Sequence, residues 1–222
     1  MTFLTDIAAA QVAALHVYGV MQIGDVVGEP ISLEDARKQC RVDTFEEGSP
    51  PESVSDDDAW LTDIGIPGAR QYCENELGVA LCTRTMELAT NAFPSGPINL
   101  PFGPVQSITS VTYLDSDGAE QILSAAGYEI DPYTVPARLM LTYGSTWPVA
   151  RDFANSVKVR YVAGYNLNGD SPNPYPLPPI IRSAMLVMLE FLYDNRDGSA
   201  DIPPAVRSLL FLAPNRERLG FA

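Results

Sequence analysis

The chain has 222 residues, 46% of them hydrophobic and 19% charged, so it is long enough to bury about 70% of the surface its unfolded form would expose, and a folded core is expected. Lys plus Arg number 14 against 28 Asp plus Glu, a net charge of −14, which removes the attraction for phosphate on which duplex-binding surfaces rely. A single histidine, three cysteines without CxxC spacing and no Gly-rich phosphate loop exclude a multi-histidine metal site, a zinc knuckle, a disulfide framework and a nucleotide site.

In chain order, Thr2 to Tyr18 is rich in Ala, Leu and Val and suits a short amphipathic helix. A Gly-punctuated extended stretch from Gly19 to Pro30 follows, and residues 1–30 together read as an N-terminal arm. The apolar run from Ile7 to Val20 has no basic region before it and is shorter than the roughly 20 residues of a membrane span, so it reads as neither signal peptide nor anchor. Ser32, with Asp35 three residues on, is a capping-box-like start, in which the Ser hydroxyl can accept from a first-turn amide, for a helix over residues 33–40. Thr44 to Ser55 has no apolar period and reads as an exposed loop. Asp56, Asp57 and Asp58 place carboxylates at the positive end of a second helix, over 56–77, which Pro67 is expected to kink near Gly65 and Gly78 to end.

From Thr83 the pattern changes to β-branched alternation: Thr83–Ala89, Ile98–Leu100, Val105–Leu114, Gln121–Leu123, Tyr128–Ile130, Leu139–Thr142 and Val157–Val162 read as strands, with a tight turn at Asp115-Ser116-Asp117-Gly118. After an Asn, Gly and Pro-rich connection, Pro178 and Pro179 open a helix over 180–195 with apolar residues at three- and four-residue spacing. A last helix spans 203–212. The expected fold class is α+β, with a helical core (31–82 and 166–212), an inserted small antiparallel β unit (83–165) and a C-terminal tail (213–222).

Chemistry is sparse. His16 lies in the apolar N-terminal segment, and no triad can be built away from it. The Asp56–Asp58 run suggests a cation site in composition only, since it lacks EF-hand spacing and is explained by helix capping and dipole effects. Trp147, Tyr143, Phe153, Tyr161 and Tyr165 suit either a sugar-stacking platform or the filling of a small β core. A hydrolase would need two carboxyls held about 5 to 9.5 Å apart, which a sequence does not display. We therefore expect no catalytic residue, no metal and no cofactor, and read the chain as a non-enzyme.

Several stations on the chain carry a further signal. Leu33-Glu34-Asp35-Ala36-Arg37 leads to Arg41-Val42-Asp43, then to Ala69-Arg70 and Glu74, Phe93-Pro94, and Leu100-Pro101-Phe102-Gly103-Pro104-Val105. Ile108 to Val111, Tyr113-Leu114-Asp115, Gly118, Tyr128, Trp147-Pro148, Val159-Arg160-Tyr161 and Ala163-Gly164-Tyr165 follow, ending with Pro178, Ile181, Ala184, Tyr193, Asn195-Arg196 and Pro203 to Leu210. In this order they resemble the head-to-tail connector, or head-tail adaptor, proteins of long-tailed bacteriophages and phage-like particles, over residues 29–212.

The resemblance implies a structural virion protein of the neck, assembled in the host cytoplasm as a ring of about twelve copies beneath the portal protein. Such a ring extends the DNA channel and attaches a head-closure (stopper) or tail-terminator protein, with no membrane involved. DNA would pass the lumen without specific binding, and a ring of acidic walls suits that passage by repelling phosphate. It also implies that the C-terminal part docks into the portal. On this expectation Leu209, Leu210, Phe211 and Leu212 supply apolar contact and Arg207, Arg216 and Arg218 pair with portal carboxylates. The other reading of Leu209 to Leu212 is packing on the subunit's own helices. A competing class is a phage-associated carbohydrate- or host-binding module that uses the β unit for recognition.

Overall fold

The structure, a computed structural model, describes residues 19–47, 52–167, 174–198 and 200–214. Its helical part begins with α1 (Leu33–Cys40). The Ser32 hydroxyl accepts from the Asp35 N–H at 3.1 Å, the expected side-chain cap, and donates to the Asp35 carboxylate at 2.7 Å. The second helical stretch has three parts: α2 (Asp58–Trp60), a π-helical turn (Leu61–Gly65) and α3 (Ile66–Leu77). The irregularity expected from Pro67 is this π turn, which takes up the extra residue just before the proline, whose missing N–H falls in the first turn of α3. Gly78, at φ 70, ends α3. Helices α4 (Pro179–Asp194) and α5 (Pro204–Phe211) both start on a proline in the first turn.

One face of each helix is buried: Ala36 from α1, Leu61, Ile66, Ala69, Cys73 and Leu77 from the second stretch, Ile181, Ala184, Met185, Met188 and Leu189 from α4, and Val206 and Leu210 from α5. The three- and four-residue spacing of the α4 set is the helical period that brings them to one side. Gly65 lets the π turn approach α4, since a Cβ there would meet the Trp60 ring at 2.7 Å and Leu189 at 2.9 Å.

The strands are β1 (Gly19–Gln22), β2 (Phe45–Glu47), β3 (Glu52–Val54), β4 (Arg84–Thr90), β5 (Ile98–Leu100), β6 (Val105–Leu114), β7 (Glu120–Ile122), β8 (Tyr128–Asp131), β9 (Ala137–Leu141) and β10 (Val157–Ala163). They form a five-stranded sheet in the order β1-β4-β10-β6-β7, a three-stranded sheet β5-β9-β8 and the hairpin β2-β3, with every pairing antiparallel. The two larger sheets share one core of Met86, Leu88, Ile98, Leu100, Val111, Leu139, Val159 and Tyr161. In β10, alternate residues Val157, Val159, Tyr161 and Ala163 are buried, the period-two signature of a strand with one covered face. The α+β class and the β unit inserted between helices agree with the sequence-based expectation.

Two segments differ from it. The stretch read as a loop over Thr44 to Ser55 contains the hairpin β2-β3, because main-chain pairing closes short strands without needing an apolar period. Gly19–Gln22, within the expected arm, pairs with β4 as an edge strand of the large sheet.

Candidate assembly interface

The connections between the helical and β units run side by side. The outgoing chain, Val79 to Thr83, lies against the Pro101–Pro104 segment, with the Ala80 N–H donating to the Gly103 carbonyl at 3.1 Å. The returning chain passes at Gly164, whose N–H donates to the Pro104 carbonyl at 2.9 Å. Gly164 has φ +124, and a Cβ on it would fall 2.2 Å from the Cys82 carbonyl oxygen, so only glycine lets the two connections pass so closely. The Tyr161 hydroxyl donates to the Pro101 carbonyl at 2.7 Å, and the Gln106 amide reaches both Thr83 Oγ1 and the Gly164 carbonyl.

Beside this crossing lies a buried ionic chain. Glu74, only 7% exposed, accepts from Arg84, from Arg70 at 3.2 Å and from the Leu81 N–H at 2.8 Å, while Arg70 also pairs with Glu29 at 2.9 Å. The Arg70–Glu74 spacing of four along a helix is legible in sequence. Arg84 and Glu29 come from distant segments, and nothing local marks them.

A second ionic group joins the helices. Asp58 accepts two bonds from Arg37 and one from the Ser55 N–H. Asp57 accepts from the Tyr193 hydroxyl at 2.5 Å and from Arg196 at 2.8 Å. The Arg196 guanidinium lies 4.5 Å from the Trp60 and Tyr193 ring centroids. The acidic run therefore ties α1 and α4 to the start of the second stretch, and the Asp57 side chain makes no capping bond.

The residues expected to meet a portal fall into distinct places. Leu210 is buried in the subunit's own core and Leu209 packs partly against it. Phe211 and Leu212 are each 69% exposed at the end of α5. Arg207 is exposed, with Glu76 at 3.7 Å. Arg216 and Arg218, like His16, lie outside the described residues.

Of the aromatics considered for a sugar platform, Tyr161 and Tyr165 are buried, Trp147 stacks on Phe93 with centroids 4.8 Å apart, and Tyr143 and Phe153 are exposed. Among the described residues no cluster of three or more His, Cys, Asp or Glu suits a metal ion, and no helix is long and apolar enough to cross a membrane.

No family model and no curated protein matches the sequence. Solved structures do. The fold of this chain is similar to that of particle chains of a gene transfer agent (GTA). A chain in the virion of the native GTA particle aligns with TM-score 0.66 and 22% identity, over 86% of this chain and 93% of that one. A chain in the neck of the empty particle, in a structure with C6 symmetry, aligns with TM-score 0.68 and 22% identity over 87% and 93%. A chain in the neck of the native particle, with C12 symmetry, gives 0.60 and 22% over 85% and 93%. The likeness extends over most of both chains, so the fold shared with the GTA chains is the whole arrangement of helical and β units.

Proposed function

We propose that this chain is a structural, non-enzymatic subunit of the neck of a phage or phage-like particle, a head-to-tail connector assembled as a ring beneath a portal. The observation that carries this reading is the fold likeness to GTA neck chains over 85–87% of the sequence. The net charge of −14 supports a channel role, because carboxylates around a lumen repel phosphate and let DNA slide through without arrest. In this reading the ring extends the DNA channel and hands it to a stopper or tail-terminator protein, and copies assemble in the host cytoplasm before residing in the virion neck.

For the portal, the exposed pair Phe211 and Leu212 supplies apolar contact, and Arg207, Arg216 and Arg218 supply charge to portal carboxylates. Leu210 and much of Leu209 hold α5 to the subunit and carry the docking residues indirectly. The test is light scattering of the purified chain, alone and mixed with a portal protein from the same genome. A ring-sized species, alone or only with portal, is the expected result, and the double variant Phe211→Asp, Leu212→Asp should remain folded yet lose portal binding. A strict monomer indifferent to portal would refute the assignment.

A further inference from the structure

The three-stranded sheet β5-β9-β8 has a hole at one end and a knob at the other. At the Ala137 end a partly enclosed cavity of about 480 Å³ is lined by Val79, Pro104, Ala137 and Tyr175 and, from the β8–β9 loop, by Thr134 and Val135. The Thr134 hydroxyl oxygen is buried and has no hydrogen-bond partner. Buried hydroxyls are usually paired, so the cavity joins an apolar lining to one unanswered hydrogen-bonding group.

At the other end, Tyr143 follows β9 on a tight turn, closed by the Ser145 N–H donating to the Thr142 carbonyl at 3.0 Å. Gly144, at φ +82, supplies the positive φ that the turn needs. The Thr142 hydroxyl donates to the Ala126 carbonyl at 3.1 Å and lies 2.9 Å from Ser145 Oγ, so the turn is braced, yet Tyr143 itself is fully exposed. A phenol held out on a fixed turn has an apolar body and a polar tip, the chemistry of an interface anchor and the complement of the cavity. It does not reach the cavity of its own chain: β9 runs from Ala137 to Leu141, roughly 13 Å at about 3.3 Å per residue, and Tyr143 lies beyond. Knob and hole therefore meet only between copies, through two different patches, and such heterologous contacts generate rings when the rotation closes. None of the described lining residues carries a charge, and neither does the Thr142–Ser145 turn, so copies of a chain of net charge −14 meet there without setting carboxylate against carboxylate.

We propose that Tyr143 of one copy inserts into the cavity between Thr134 and Tyr175 of the next copy, its hydroxyl bonding Thr134 Oγ1, as a contact between neighbouring subunits. This rests on the ring reading above and names the surfaces through which the ring closes.

The test replaces Tyr143 by photoreactive azidophenylalanine in the full-length chain, a near-isosteric change at an exposed position, and irradiates the ring-sized species, formed alone or with portal. Cross-links should join two chains and map to the peptide carrying Thr134 and Val135 or to that carrying Tyr175. Tyr143→Ala should raise the concentration needed for half-assembly on the order of tenfold or more and leave the urea midpoint of the subunit unchanged. Tyr143→Phe and Thr134→Val should each raise it by a smaller factor, with no further loss when combined, because either removes the same hydrogen bond. A ring whose cross-links map elsewhere, stay within one chain or do not form, or whose assembly is indifferent to Tyr143→Ala, would overturn this contact and leave the neck assignment standing. If the unsubstituted chain forms no ring with or without portal, the contact and the ring reading are both refuted.

Discussion

Glu74 and Asp57 each gather cationic and hydrogen-bonding partners around the same helical stretch, but in different surroundings. The Glu74, Arg70 and Arg84 side chains are 9%, 12% and 9% exposed, whereas Asp57 and Arg196 are 32% and 42% exposed. Water screens the second group and hardly reaches the first, so similar contacts carry unequal weight. The crossing between the helical and β units is thus held by buried charge, and the helix seam by a cluster that grades from the Arg37–Asp58 pair, 16% and 19% exposed, to the more solvated Asp57 and Arg196. The sharpest way to break the comparison is Glu74→Ala. It strands two arginines in a nearly dry site and orphans the Leu81 N–H, so we expect a loss of about 3–5 kcal/mol in urea unfolding, with Glu74→Gln losing less because it keeps an acceptor. An effect of Glu74→Ala no larger than that of a surface pair would show that the crossing is wetter than its burial implies.

The same contrast explains how much of the molecule was legible in sequence. The start of α1 was readable because capping is local: Ser32 and Asp35 meet within one turn. The Asp115 turn was readable for the same reason, its carboxylate accepting from the N–H groups of Asp117 and Ala119. Several of the stations that suggested a connector are seams of the fold: Arg37, Arg70, Glu74, Pro101, Gly164 and Arg196 lie in the crossing or the helix seam. What stayed hidden depends on contacts between distant residues, such as the Glu74–Arg84 pair and the pairing of Gly19–Gln22 with β4. The split of Leu209–Leu212 into buried and exposed members was also hidden, because four consecutive apolar residues at a helix end carry no period of their own.

Acid should separate the two clusters next. The Tyr193 hydroxyl and then Arg196 hold the Asp57 carboxyl below the usual range, and Arg37 does the same for Asp58. With folded-state pKa values below the unfolded ones, the unfolded chain binds more protons in between, so this stabilisation is complete above about pH 5 and drains as pH falls through the folded values. Asp58→Asn should lose about 1 kcal/mol at neutral pH and then decline less steeply than wild type from pH 5 to pH 3. Comparing the two proteins at each pH cancels most of the relief of self-repulsion that acid brings to a chain of net charge −14. Parallel declines would mean that Asp58 does not contribute to the acid response.

The smallest expected effect is a rate, and it reads both regions in one molecule. Burial, aided by Glu190 and Asp194, pushes the Cys40 thiol up to about 11, and burial with Glu29 pushes Cys82 up to about 12. Thiolate is the reactive form, so both resist alkylation near pH 8 until local or global opening exposes them. Cys40 is half-buried on α1, whose neighbours include the solvated cluster, so it should label through local opening and faster than Cys82. Cys82 is buried in the crossing, so its exposure is expected to require separation of the two units. Asp58→Asn should therefore speed Cys40 more than Cys82, and Glu74→Ala should speed Cys82 more than Cys40. If each variant speeds both thiols equally, crossing and seam open as one cooperative unit, and the difference in burial between the two charge clusters has no counterpart in how the molecule moves.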